Sequence, residues 1–419
     1  MNEIYDIIVA GAGVVGLTYA DKLADSGLKI LLYDHGTLGI TKKSWLIPGK
    51  WLETVGYSQY ATNKIDHFGI YSYLHNQSII RKASPELACV TIDESRFFSD
   101  RLASIKSKGV EIAEHTEMLT WQDKGDYLEL KSSKGVYKTK LLLDCTGVNS
   151  RFIKRGGNIK QQYYWPVYGL KFSGSNSPLN QSYLAAHIAD YKGMKVFIND
   201  VPEGDSGYIP WMYLLTRTEI PLLELRNLYQ EMLKTDFLKN LVYGHKVIGE
   251  KFGWIPAWDV KTRASNRILS LGDAGALAPW VSAMTFSFIL HKLPEWLPSI
   301  LSSINNNKLA EGDLNKIVTL SNQEEIFFDL SKLIFILMRN ASSEEFEKLI
   351  KAYSEVDISI ILKIILYFNA SIDELVEFLK VCLKQFSLPA LLKMLSRDSF
   401  SDELKIGTEL VGDFLRSIN

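Results

Sequence analysis

The run Gly11-Ala12-Gly13-Val14-Val15-Gly16 spaces three glycines as G-x-G-x-x-G. That arrangement lets a backbone turn tightly, approach a pyrophosphate and pack a helix close against a strand. Asp34 follows 18 residues beyond Gly16, near the roughly 20 expected of a carboxylate that bonds an adenosine ribose. A carboxylate there disfavours a 2′-phosphate, and with it NADP at this site. The fingerprint serves NAD and FAD alike and does not choose between them. Two later segments offer further close approaches to a nucleotide. Lys140–Ser150 is an apolar strand ending in a turn at Gly147, and Arg267–Pro279 is a strand, then Gly272-Asp273, then Pro279 before a helix expected from near Ser282. The seven histidines, His35, His67, His75, His115, His187, His245 and His291, show neither His-x-x-x-His nor His-Glu-x-x-His spacing, so no metal site is expected. No Gly-x-Ser-x-Gly nucleophile elbow occurs.

Holding the glycine triplet requires a strand before it and a helix after it, and the pattern supplies both. Tyr5–Ala10 is a short apolar run; Leu17, Ala20, Leu23 and Ala24 share one helical face; Gly27 closes the helix; Lys29–Tyr33 is a second strand ending at Asp34. Between Glu111 and Leu143, the alternation in Tyr127–Lys131 and the Lys134-Gly135 turn predict a hairpin with one wet face. From Tyr163 to Trp258 the chain is rich in aromatic residues, with strand patterns at Val167–Phe172, Lys195–Asn199 and Tyr208–Leu215. A second sheet is expected there, its aromatics serving as core or as the wall of an apolar pocket. Leu222 to Leu241 reads as one amphipathic helix, and Gly249–Pro256 leads back towards the Gly-Asp strand. The expected architecture is α/β: a discontinuous Rossmann-type domain from residues 1–160 and 246–295, a substrate-binding sheet domain over 161–245, and a helical domain over 296–419. Helix starts are expected at Ser342, Ser371 and Ser401. Leu375, Phe378, Leu379, Cys382 and Phe386 form one apolar face, which packs on the body of the protein or rests peripherally on a membrane.

Composition narrows the classes. The chain has 419 residues, 47% hydrophobic, and 47 basic against 48 acidic side chains. A net charge of -1 provides no field for binding nucleic acid. Cys89, Cys145 and Cys382 stand far apart, which excludes a disulfide scaffold and a cysteine-based zinc cluster and fits a reducing compartment. Ile7–Ala10 leads straight into the glycine turn without the features of a signal peptide, and no stretch approaches the ~18 uninterrupted apolar residues of a spanning helix. A cytoplasmic location is expected.

The three glycine-bearing segments together resemble the flavoprotein superfamily of aromatic hydroxylases, flavin-dependent halogenases, geranylgeranyl reductases and lycopene cyclases. The resemblance implies FAD at a site containing Gly11, Gly13, Gly16, Asp34, Gly147, Gly272, Asp273 and Pro279. In those families the Gly-Asp carboxylate meets the ribityl and pyrophosphate part of FAD, and the helix after the proline points its N-terminus at the flavin pyrimidine. Asp93-Glu94-Ser95-Arg96 is similar to their helix-opening arginine near the FAD phosphates, although a surface arginine would also stand at such a start. The layout looks most like lycopene cyclases: Tyr168-Gly169-Leu170 is similar to their Tyr-Gly-Ile strand, Glu250 with Ile255-Pro256 to their Glu-to-Ile-Pro segment, and Ile326–Leu330 through Leu375 to their helical tail. Family membership implies a long apolar substrate. Their paired acidic residues are replaced here by Trp211–Glu219, and the turn after Pro279 reads Val281-Ser282-Ala283-Met284-Thr285 without a glycine. Gly272-Asp273, by contrast, is a feature of the redox members. Glu250, then Glu219, are the candidates for a proton donor or acceptor. No second glycine-rich site is evident, so NAD(P)H would bind transiently as electron donor, or a partner reductase would supply electrons. The expected activity is FAD-dependent, monooxygenase-like oxidation, oxygenation or reduction of a mostly apolar small molecule, of a natural-product or isoprenoid kind. The alternatives are a non-redox cyclase using reduced FAD and a flavin-binding protein without turnover.

Overall fold

The computed structural model describes residues 3–40, 43–72, 77–154, 158–176, 183–191, 194–203 and 207–396. The first sheet grows from the N-terminal strand Ile4–Ala10, which pairs in parallel with Ile30–Tyr33 on one side and Gly135–Asp144 on the other. Glu111–Ala113 and Ile268–Ser270 extend it in parallel, while Leu128–Ser132 and Met118–Asp123 add the expected hairpin. Ile7, Ile8, Val9 and Leu141 to Leu143 are fully buried because both sheet faces are covered, which is why these strands read as continuous apolar runs. The strand ends carrying Ala10, Tyr33, Asp144 and Ser270 lie side by side in the ladder, so the turns after them converge on one edge of the sheet.

The second sheet has seven strands, in the order Val247–Val260, Ile159–Phe172, Gly207–Leu214, Met194–Glu203, Tyr183–Tyr191, His67–Ser72 and Gln77–Lys82. It therefore takes strands from before and after the 161–245 stretch expected to form it. Its faces alternate strictly. Tyr168, Val196, Ile198, Met212 and Leu214 pack on Leu225, Leu228 and Tyr229, whereas Trp165, Phe197 and Trp211 face Phe335, Leu337, Phe346 and Ile350. The single helix expected over Leu222–Leu241 is two, Leu222–Met232 and Asp236–Val242, because the Thr235 hydroxyl donates 2.6 Å to Met232 O and ends the first.

The remainder is helical, beginning with Thr285–Asn305 and including Asn322–Asn340, Ser343–Glu355 and Ile372–Gln385. Ser342 and Ser371 cap their helices in capping boxes, as expected, and Ser321 does the same without having been singled out; Ser401 lies outside the described residues. The Leu375–Phe386 face is turned inward: Phe378 and Phe386 are buried, and Leu375, Leu379 and Cys382 pack on the core, so this face is not presented to a membrane. No described helix is long and apolar enough to cross a membrane.

Candidate functional site

At the convergent edge of the first sheet a cavity of about 1070 Å³ runs towards the second sheet. Gly11, Ala12, Gly13, Asp34, Gly147 and Asp273 are among its lining residues. Gly11 has φ +94°, and a Cβ on it would stand 2.5 Å from Cys145 O, while a Cβ on Gly16 would stand 1.8 Å from Gly11 O. The turn can close only with glycine at both positions. Gly13 caps the helix Val14–Leu23 without a side-chain hydrogen bond, and a Cβ there would meet nothing within 4 Å. The first-turn N–H groups consequently have no side-chain acceptor, and the helix end is positive, as a pyrophosphate requires. Asp34 is held in place at the cavity wall, its carboxylate accepting from Ala12 N at 2.7 Å and Gly36 N at 2.8 Å.

Asp144 is structural. It is buried and accepts from Thr146 and Ser150, which shapes the Gly147 turn, and burial pushes its carboxyl up. Gly272 has φ +64° and abuts Val15, behind the cavity wall. Asp273 reaches the cavity and is held by the Thr285 hydroxyl and by Lys43 Nζ at 3.2 Å. Pro279 is buried just outside the lining, and it begins a turn held at three points. Trp165 Nε1 donates to Trp280 O at 2.6 Å, Val281 N to Ser331 Oγ at 2.7 Å, and Ala283 N to Pro279 O at 2.8 Å. Ala283 sits in this turn at φ +56°. That left-handed residue delays the following helix to Thr285, three positions beyond the Ser282 start expected from sequence.

Arg96 stands apart from the cavity lining. Its N–H is capped by Asp93, and its side chain lies over Tyr60 and beside Asp100 and Gln59 O. Among the described residues, Arg151 and Lys43 are the arginine and lysine at the cavity wall, with His35 and His115 beside them. Neither Arg151 nor Lys43 was marked in the sequence, because nothing in its pattern distinguished them from surface cations.

The two glutamates expected to carry protons also lie elsewhere. Glu250 accepts from Arg226 Nε at 2.6 Å and Nη2 at 2.8 Å, and from the Tyr168 hydroxyl at 2.7 Å. Glu250 is turned to Arg226 on the helix Leu222–Met232, and the next residue of the strand, Lys251, points to the other side of the sheet. Glu219 is at the surface, 4.0 Å from Lys154. Lys251, on the opposite parity, is nearly buried and donates to Glu94, Glu203 and Ser44 Oγ, while Ser44 Oγ donates 2.6 Å to Glu203. Burial pushes the Glu94 carboxyl up and the Lys251 ammonium down, each opposed by the other's charge.

A second cavity, about 380 Å³, lies between the second sheet and the C-terminal helices. Its wall is Trp165, Phe197 and Tyr213 on one side and Ile334, Leu337 and Ile350 on the other, and no described lining residue is charged. Burial pushes the Tyr213 hydroxyl up to about 12. Trp45, Trp211, Tyr213, Ile255, Ala283 and Phe286 line both cavities, so the two adjoin along a largely aromatic edge.

No protein-family model and no curated protein matches the sequence. Solved structures do match. A geranylgeranyl bacteriochlorophyll reductase-like protein from Thermoplasma acidophilum is 16% identical with a TM-score of 0.71, over 94% of this chain and 99% of that one. The halogenase PltM, in complex with phloroglucinol and FAD, is 12% identical with a TM-score of 0.67, over 98% and 96%. The p-nitrophenol 4-monooxygenase of Pseudomonas putida is 13% identical with a TM-score of 0.66, over 88% and 98%. At these identities the likeness is one of architecture, and the chain has the fold of the FAD-dependent flavoproteins that include such reductase-like proteins, halogenases and monooxygenases.

Proposed function

We propose that this protein is an FAD-dependent oxidoreductase, monooxygenase-like, that acts on a mostly apolar small molecule. The observation that carries the reading is the pairing of a glycine-walled cavity that presents Asp34, Asp273, Lys43 and Arg151 with a separate apolar cavity along a shared edge that includes Trp45, Trp211, Tyr213, Ile255, Ala283 and Phe286. The residues present fit FAD: the uncapped helix after Gly13 for the pyrophosphate, Asp34 for a ribose, and Asp273 with the Pro279–Ala283 turn towards the flavin end. FAD, when bound, supplies electron transfer to or from the substrate, with NAD(P)H in transient contact or a partner reductase as the source of electrons. The protein's own residues orient the substrate against that edge, and the apolar wall excludes water from it.

The test begins with the purified protein's visible spectrum before and after anaerobic reduction, with any cofactor released by heat and identified. A yellow FAD spectrum is expected, with reoxidation in air altered by apolar substrates. Absence of flavin that added FAD does not restore overturns the proposal. Conversion of a substrate under anaerobic conditions with no net electron consumption would instead favour the cyclase.

A further inference from the structure

We propose that the apolar cavity binds an uncharged, mostly aliphatic molecule carrying one hydrogen-bonding oxygen, and that Ser282 Oγ holds this oxygen beside the cofactor cavity. The inference rests on reading this cavity as the substrate site, and three observations carry it. First, no described lining residue is charged, so a carboxylate, phosphate or ammonium would be buried there without a counterion. Second, Ser282 lines the cavity, and its Oγ is buried with no hydrogen-bond partner among the described residues. Two neighbouring hydroxyls are already engaged: Ser287 Oγ donates 3.0 Å to Leu46 O and Ser44 Oγ donates 2.6 Å to Glu203. A buried hydroxyl left unpaired is costly, and a ligand oxygen in this cavity would remove that cost.

Third, Ser282 immediately precedes Ala283, which lines both cavities. An oxygen held at Ser282 therefore places its own carbon and the next one at the shared edge, and directs the rest of the molecule between Ile334, Leu337 and Ile350. The cavity's 380 Å³, at ~30 Å³ for a water-sized group, admits roughly a dozen non-hydrogen atoms.

The test is isothermal titration of the FAD-loaded protein with 1-decanol, 2-decanone and, at pH 8, decanoate. The alcohol and the ketone are expected to bind at least tenfold more tightly than the ionised acid. Ser282→Ala should weaken decanol and decanone at least fivefold, and Leu337→Trp, which fills the aliphatic end, should abolish binding of both. Decanoate binding equal to decanol overturns the uncharged class, and an unchanged decanol affinity in Ser282→Ala overturns the anchor. If none of the three binds to protein that does hold FAD, the proposal falls while the flavoprotein reading stands. If the protein fails to hold FAD yet binds decanol through Ser282, the flavoenzyme reading falls and the ligand site stands.

Discussion

Alanine stands at position 283 in a left-handed turn, and replacing it tests whether that turn has the conformation described. At φ +56° an L-residue bears about 1.5 kcal/mol of steric cost that glycine does not. Against that relief, Ala283→Gly adds about 0.7 kcal/mol of unfolded-state entropy. It also removes a half-buried methyl worth about 0.4 kcal/mol. The expected net effect is a small stabilisation of about 0.4 kcal/mol. At an exposed helical position such as Ala103, within Glu94–Ser107, the same substitution should cost about 1 kcal/mol. The two substitutions should therefore differ by about 1.4 kcal/mol, and Ala283→Val should be more than about 2 kcal/mol worse than Ala283→Gly, because a β-branched side chain is poorly tolerated at this φ.

The assay is equilibrium urea unfolding of FAD-free protein, so that cofactor affinity does not enter the stabilities, with free energies taken from midpoint shifts at a common slope. Titration with FAD then measures the consequence at the site. Ala283→Gly should bind FAD within threefold of the parent, and Ala283→Val at least tenfold more weakly, since Ala283 lines the cofactor cavity. If Ala283→Gly costs as much as Ala103→Gly, the left-handed turn is wrong.

Gly13→Ala and Gly16→Ala should separate binding from folding. The first projects a methyl into open space and should fold normally but lose at least tenfold in FAD affinity. The second drives a methyl to 1.8 Å from Gly11 O and should cost more than about 3 kcal/mol or prevent folding, as soluble expression and unfolding midpoints will show. Glu324 is buried, which raises its carboxyl, but His291 at 3.4 Å, the Ser321 N–H of the capping box and Lys292 at 3.1 Å outweigh that and lower it from 4.5 to about 2. A lowered carboxylate stabilises the fold above its unfolded value, and the benefit disappears as pH falls from 4.5 towards 2. Glu324→Gln should therefore lose on the order of 3 kcal/mol at pH 7, with the deficit shrinking below pH ~4.5 and closing only as pH approaches ~2, measured as unfolding free energy against pH. Glu250→Gln should leave FAD affinity and flavin reduction rate unchanged, because Glu250 pairs with Arg226 and Tyr168 outside both cavities; a large loss in reduction rate would restore it as a proton carrier.

What the sequence revealed was local. The triplet, Asp34 and the two glycine turns each depend on a few consecutive residues and on apolar runs that parallel strands buried on both faces must have, so they were legible. Membership of the second sheet was not. His67–Ser72 and Gln77–Lys82 join it through a parallel pairing with Tyr183–Tyr191, more than a hundred residues away in sequence, and no short pattern encodes that choice. The same non-locality misplaced Glu250: alternation shows that it and Lys251 face opposite ways, but only the neighbouring helix and cavity decide which way is inward. Ala283 was illegible for another reason. An alanine carries no mark of a positive φ, and the turn is imposed by Trp165, Ser331 and Pro279.

The charges near the shared edge bear on which chemistry the site can support. A reaction begun by protonating an apolar substrate needs a carboxyl in contact with it, and no described residue lining the apolar cavity has one. Glu203 lies behind Ser44 and faces two ammonium groups, Lys251 and Lys171, the latter at 2.9 Å. Asp273 reaches the cofactor cavity, but it pairs with Lys43 and accepts from Thr285. Both carboxylates are thus held where they can balance charge or orient groups, and neither is placed to protonate a ligand lying between Trp165 and Leu337. Among the described residues no acid is placed to protonate such a ligand, and this supports the proposed electron transfer over an acid-initiated cyclisation.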